Sequence, residues 1–206
     1  LRRWSCLLQN NVAFAKNELR KRIRTERLTI AVSEREAAAE AAANLFVAQA
    51  MLQNYDSFAA YIAHGGEFDV MPLLRQIWQA KKTCYLPVLS VETPGQLQFV
   101  KYQEDTPLQT NRYHILEPDF SLVNEIPVTN LDVVLLPLTA FNREGFRLGS
   151  GGGYYDKTFA FLREEKPARP LMIGVGFASQ EVAELPYDDW DVKLDGILTE
   201  QEFLIF

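Results

Sequence analysis

Two cysteines and two histidines in 206 residues leave little material for thiol or imidazole chemistry. Cys6 sits in a polar stretch and Cys84 in the strand-like run TCYLPV, so neither a disulfide framework nor a thiolate zinc site is expected. His64 and His114 have no partner at HxH or HExxH spacing and read as ordinary side chains. No apolar run approaches the roughly 18 residues that a helix needs to cross a bilayer. Nor does an apolar segment with a small-residue cleavage site follow Arg2 and Arg3. A soluble, cytoplasmic protein without membrane partners is expected. The phosphate fingerprint GxxxxGK[ST] is absent, and GxGxxG fails because Tyr154 stands where its last glycine belongs.

What is present is a 48% apolar chain of a length that buries a substantial core as one domain. Residues 1–14 are set aside as a leader, and residues 15–206 are taken as that domain. The net charge of -6 is unevenly spread: residues 1–27 hold eight Lys or Arg against Glu18 and Glu26, which leaves the remainder at -12. A basic helix can hold nucleic acid, but no RNP-type aromatic motif accompanies this one. An acidic remainder would also repel a long polyanion, whereas a small anion needs only one patch. A nucleotide is the better fit.

Residues 15–30 and 33–54 read as helices, the second opened by a Ser33/Glu36 capping box and sustained by alanines. SFAAYIA at 57–63 reads as a strand stopped by Gly65 and Gly66, and 70–81 as a helix. TCYLPV and LQFVKY are two further strands, 131–138 is a continuous apolar strand suited to a sheet interior, and LMIGVGF and 196–199 are the last two. Strands alternating with helices predict a single-domain, three-layer α/β/α fold, Rossmann-like, with a mostly parallel sheet and helices on both faces. In such sheets ligands collect beyond the carboxyl ends of the strands, which here means the loop after Leu138.

That loop carries five of the 11 glycines, at Gly145, Gly149, Gly151, Gly152 and Gly153. Glycines let backbone N–H groups converge on an anion, and a helix predicted over 154–164 would add its positive end. Arg147 can grip phosphate oxygens in a bidentate way, and Asp156 offers the hard oxygen that Mg²⁺ favours beside a nucleotide. Arg147, Gly149, Gly151, Gly152 and Gly153 are therefore the candidate site for the ATP phosphates. Asp156 alternatively serves only as a first-turn acid complementing the helix dipole.

The run RLGSGGGYYD closely resembles the signature of the 5-formyltetrahydrofolate cyclo-ligase family. KNELR at 16–20, HGGEFDV at 64–70, YLPVL at 85–89, LEP at 116–118 and DWDVKLDGILT near the end extend the likeness over nearly the whole chain after residue 14. The resemblance implies a monomeric enzyme that uses ATP and Mg²⁺ to cyclise 5-formyltetrahydrofolate, with or without a polyglutamate tail, to 5,10-methenyltetrahydrofolate. It implies that Lys16 and Arg20 reach the ATP phosphates, in keeping with their i,i+4 spacing, while Arg24 and Arg27 are read as a solvated basic face. By the same likeness Leu148, Ser150, Tyr154 and Tyr155 complete the ATP site, and Arg147 and Tyr154 act in catalysis. Ile62, Glu67, Tyr113, Ser150, Gly151, Gly152, Gly153 and Tyr154 line the folate, and Asp191 joins Asp156 at the metal, with Asp188 and Asp189 as neighbouring alternatives. One departure is Asn142, where many relatives have aspartate; this motivates a non-catalytic folate or nucleotide binder as the alternative. A sugar-phosphate or coenzyme A enzyme on a similar fold, and an RNA-binding module, are the remaining rivals.

Overall fold

The computed structural model describes residues 2–119, 125–163 and 169–206, with backbone alone for 2–11; the expectation about Cys6 therefore lies outside the described side chains. Its elements are α1 (Arg2–Leu28), α2 (Val32–Ala48), α3 (Met51–Asn54), β1 (Ser57–Ala59), α4 (Met71–Gln79), β2 (Thr83–Leu89), β3 (Leu97–Tyr102), β4 (Leu108–Thr110), β5 (Leu116–Pro118) and β6 (Glu125–Ile126). There follow β7 (Val133–Pro137), β8 (Ala140–Phe141), β9 (Arg147–Leu148), α5 (Tyr154–Thr158), β10 (Leu171–Val175), β11 (Gly196–Leu198) and β12 (Phe203–Ile205).

The main sheet has the order β12-β11-β10-β7-β1-β2-β3-β6. Its central ladder from β11 to β2 is parallel, and β12, β3 and β6 add on in antiparallel sense. β7 sits at the middle because every residue from Val133 to Leu136 is apolar and buried, as a strand covered on both faces requires. Val133 and Leu135 point to the face covered by α2 and α4, while Val134 and Leu136 point to the face that holds Phe99, Phe141 and Phe159. A three-layer α/β arrangement results. Two small hairpins, β4–β5 and β8–β9, lie outside the main sheet.

Several boundaries differ from the sequence expectation. The first helix extends through the residues set aside as a leader, back to Arg2. The second opens at Val32, and the N–H of Ala31 is satisfied by Glu34 at 3.2 Å, so Ser33 lies inside the first turn and caps nothing. Its predicted run to residue 54 is interrupted at Ala50, which has φ 58. α5 has five residues and passes into a short 3-10 turn, which leaves little helix dipole at the glycine loop.

Candidate active site

Hairpin β8–β9 delivers the glycine loop to the carboxyl edge of the sheet. Asn142 builds its turn: the side-chain oxygen accepts the N–H groups of Glu144 at 3.2 Å and Phe146 at 3.0 Å, and the side chain is buried. Arg147 and Leu148 then lead into the loop, but their side chains turn inward. Leu148 packs with Ile23, Ala140, Phe146 and Leu185, so only its backbone remains for a ligand. Arg147, with 4% of its side chain exposed, donates to Asp156 at 2.7 Å and to the carbonyl of Val192.

Beyond Leu148 the loop opens outward. Ser150, Gly151 and Gly152 are exposed, and a Cβ added at Gly149 would meet nothing within 4 Å. Gly151 (φ 113) and Gly153 (φ 66) occupy backbone conformations that favour glycine. Among the described residues, no hydrogen bond uses the N–H of Ser150, Gly151, Gly152 or Gly153. A run of backbone donors free of other described residues is what an anion cradle needs.

Above this loop lies α1. Lys16, Arg20, Ile23 and Arg27 recur at spacings of four, three and four, which puts them on one helical face turned toward the protein. Arg20 donates to the carbonyl of Gly149 at 2.9 Å, and Arg24 to that of Ser150 at 3.1 Å. Arg27, 6% exposed, donates to the carbonyl of Gly65 at 2.9 Å. The reading as a solvated face is therefore corrected for Arg27, which is buried against loop backbone, while Arg24 is exposed as read and adds one bond to the loop. Burial pushes the pKa of Arg27 down while the charge of Glu67 opposes that shift. Lys16 is held between Asp188 at 2.7 Å and Asp191 at 2.8 Å.

Gly65 belongs to the second loop, which carries Glu67. One carboxylate oxygen of Glu67 accepts the N–H of His64 at 3.1 Å. Burial raises its pKa, although the His64 hydrogen bond and the charge of Arg27 pull the other way. Glu67 in turn raises the pKa values of Tyr61 and Tyr155, second only to burial in each case. Helix α1 bridges the two loops, through Arg24 to Ser150 and Arg27 to Gly65. The Tyr155 ring stacks on Phe159 and packs into the core, and Ile62 packs against the core on the α2 side. Tyr154 stands outward: its hydroxyl meets that of Tyr113 at 2.7 Å and accepts from Arg112 at 2.9 Å, contacts that lower its pKa. Arg112 was not singled out from sequence because an exposed arginine in a polar loop carries no pattern.

Asp156 and Asp191 are neighbours, since the N–H of Val192 donates to Asp156 at 3.1 Å. Each gives one oxygen to that network: Asp156 Oδ1 takes Arg147 and Val192, and Asp191 Oδ2 takes Lys16 and the N–H of Asp188. The other oxygen of each accepts no hydrogen bond from another described residue. Asp189 is exposed, and the described residues hold no cluster of three or more potential metal ligands. Two carboxylates with an oxygen to spare fit Mg²⁺, which typically takes one or two carboxylates together with phosphates and water. A separate cleft of about 390 Å³, lined by Trp78, Lys82, Cys84 and Tyr102, lies at the amino end of β2 and has no part in this constellation.

A mostly parallel sheet, a free-donor loop at its carboxyl edge and a basic helix face over that loop make this an α/β protein with an anion-cradle geometry at the edge of its sheet. Residues 12–200 match the 5-formyltetrahydrofolate cyclo-ligase family. The chain is 38% identical over 141 residues to the 5-formyltetrahydrofolate cyclo-ligase of Escherichia coli K12, covering 68% of this chain and 76% of that one. The enzyme of the same name from Haemophilus influenzae is 37% identical over 142 residues, covering 69% and 74%. The solved structure of the 5,10-methenyltetrahydrofolate synthetase of Aquifex aeolicus is similar at a TM-score of 0.75 and 28% identity, over 92% of each chain. This chain belongs to the 5-formyltetrahydrofolate cyclo-ligase family.

Proposed function

We propose that the chain catalyses the ATP-dependent cyclisation of 5-formyltetrahydrofolate to 5,10-methenyltetrahydrofolate, with release of ADP and phosphate. Family membership supports the reaction. The observation in this molecule that carries it is the row of unpaired N–H groups at 150–153 beneath Arg20 and Arg24.

The formyl oxygen is amide-like and leaves poorly, so the γ-phosphoryl group is transferred to it first, giving a carbon that carries a good leaving group. The N10 lone pair then attacks that carbon. Loss of the N10 proton and of phosphate, with its C–O electron pair, leaves the methenyl bridge. The protein's part is positioning and charge compensation. Loop N–H groups at 150–153 receive the phosphates, and Arg20 and Arg24 bring positive charge from α1. Lys16 and Arg147 stand one step back, each held by the carboxylates that await the metal. Asp156 and Asp191 would hold Mg²⁺, which when bound supplies positive charge to the transferring phosphoryl group. Tyr154, with Tyr113 and Arg112, borders the folate, and Glu67 accepts hydrogen bonds from it.

The chain acts as a cytoplasmic monomer, and its substrate is free to carry a polyglutamate tail. No helix among the described residues is long and apolar enough to cross a membrane. Most of the inward basic face of α1 is already engaged by protein groups, which argues against a nucleic-acid surface. Nor does Asn142 favour a non-catalytic binder, since its side chain builds a turn. The test is the ultraviolet signal of methenyltetrahydrofolate with ATP, with and without Mg²⁺. Product should form only when ATP and metal are both present; binding of both substrates without phosphate release would refute catalysis.

A further inference from the structure

Arg27 has a feature that its grip on Gly65 leaves unexplained. Its side chain is nine-tenths buried, and its Nε–H has no hydrogen-bond partner among the described residues. A buried donor left unpaired is costly, more so when it is charged, so such a group marks a place where an acceptor belongs. The same guanidinium feels the charge of Glu67, and no ion pair among the described residues joins the two. Arg27 continues the helix face whose Arg20 touches the glycine loop, and Glu67 acts on Tyr155 at the end of that loop. Arg27 is thus tied to Gly65, two residues before Glu67 on the same loop.

The parts of a folate differ in what they offer such a pair. Its glutamate tail is anionic and would be repelled by Glu67, and its formyl group must lie at the phosphoryl donor. The bicyclic head presents a ring N–H beside a ring carbonyl, the complement of a carboxylate next to a guanidinium N–H. We propose that Arg27 is a specificity-determining contact for this edge, its Nε–H donating to the ring carbonyl while Glu67 accepts the adjacent ring N–H. The inference rests on the proposed substrate. Arg35 supports the arrangement from outside: it donates to the carbonyl of Arg27 at 2.7 Å and to that of Gly66 at 3.4 Å, so the helix end and the Glu67 loop move as one piece.

Calorimetric titration with 5-formyltetrahydrofolate and with its 4-amino-4-deoxy counterpart, in which an amino donor replaces the ring carbonyl, tests the contact. Wild type should prefer the carbonyl form by about 10- to 100-fold, as expected for a charged donor on a neutral acceptor. Arg27→Met should lower that preference about tenfold, the remainder coming from Glu67, whose ring N–H partner the amino form also lacks, and should leave ATP affinity within about twofold of wild type. Arg27→Lys keeps the charge but cannot serve both Gly65 and the ligand with one geometry; it should melt near wild type and show the same reduced preference. The contact is overturned if wild type shows no preference, if the preference is undiminished in Arg27→Lys, or if both ligands weaken equally, which is the signature of a loop-holding role alone. Product formation with an Arg27-independent preference sinks this contact and leaves the proposed reaction standing. A preference that depends on Arg27 without product formation does the reverse.

Discussion

Arg147 and Asp156 are joined at 2.7 Å across the glycine loop, tying β9 to α5 at the two ends of the segment that receives the phosphates. The pair is asymmetric: 4% of the Arg147 side chain is exposed against 23% of that of Asp156. Removing the carboxylate leaves a buried cation with only the Val192 carbonyl, so Asp156→Ala should destabilise the fold by about 2 to 4 kcal/mol in urea unfolding. Arg147→Met removes the buried charge itself and should cost less. A double-mutant cycle gives the coupling, and Asp156→Ala should also raise the Mg²⁺ needed for half-maximal turnover; an unchanged metal requirement would limit Asp156 to holding Arg147.

Asn142→Asp changes charge at a position whose work is geometric. Its side-chain oxygen accepts two backbone N–H groups, and a carboxylate oxygen does the same. Turnover of Asn142→Asp should stay within about twofold of wild type. Asn142→Ala strands the buried N–H of Phe146 and should lower stability by about 1 to 3 kcal/mol. A large gain in activity on restoring aspartate would instead mean that the loop's charge balance, not its shape, limits this chain.

Gly152 tests how tightly the loop is built against Tyr154. A Cβ there would stand 2.8 Å from the Tyr154 ring, and its φ lies outside the left-handed region, so alanine fits the backbone but not the neighbour. Gly152→Ala should fold normally and displace Tyr154 from Tyr113 and Arg112. About a tenfold or greater fall in kcat/KM with a melting temperature near wild type is expected, and an unchanged kcat/KM would detach Tyr154 from the reaction.

The contrast between these residues shows what sequence can carry. β7 was legible because an unbroken apolar run has few other uses, and the loop because five clustered glycines need a cause. The hairpin around Asn142 was not, since two-residue strands are too short to show any period. Arg27 was misread for a different reason: its burial depends on Gly65, 38 residues away, and a basic residue on a basic helix looks solvated until that partner is known. The ion pairs of Lys16 and Arg147 likewise join residues by tertiary contact and left no trace in local spacing.

Glu67 separates stability from function. Burial raises its pKa above the ordinary 4.5, so the fold favours the protonated form. Because the folded value exceeds the unfolded one, this group's contribution to stability is fully present below the ordinary value and is lost as pH rises through the raised one. Ionisation of this carboxyl therefore works against the fold, and Glu67→Gln, which mimics the neutral acid and still accepts from His64, should be more stable than wild type above the raised value. Near pH 4 that advantage should vanish. Function should move the opposite way: an amide offers the folate one acceptor in place of two, and KM for 5-formyltetrahydrofolate should rise about tenfold or more while KM for ATP stays put. In wild type the folate KM should climb as pH falls through the raised value, and in Glu67→Gln it should not. A variant both less stable at neutral pH and unaltered in folate KM would remove Glu67 from the substrate and leave it as a loop acid.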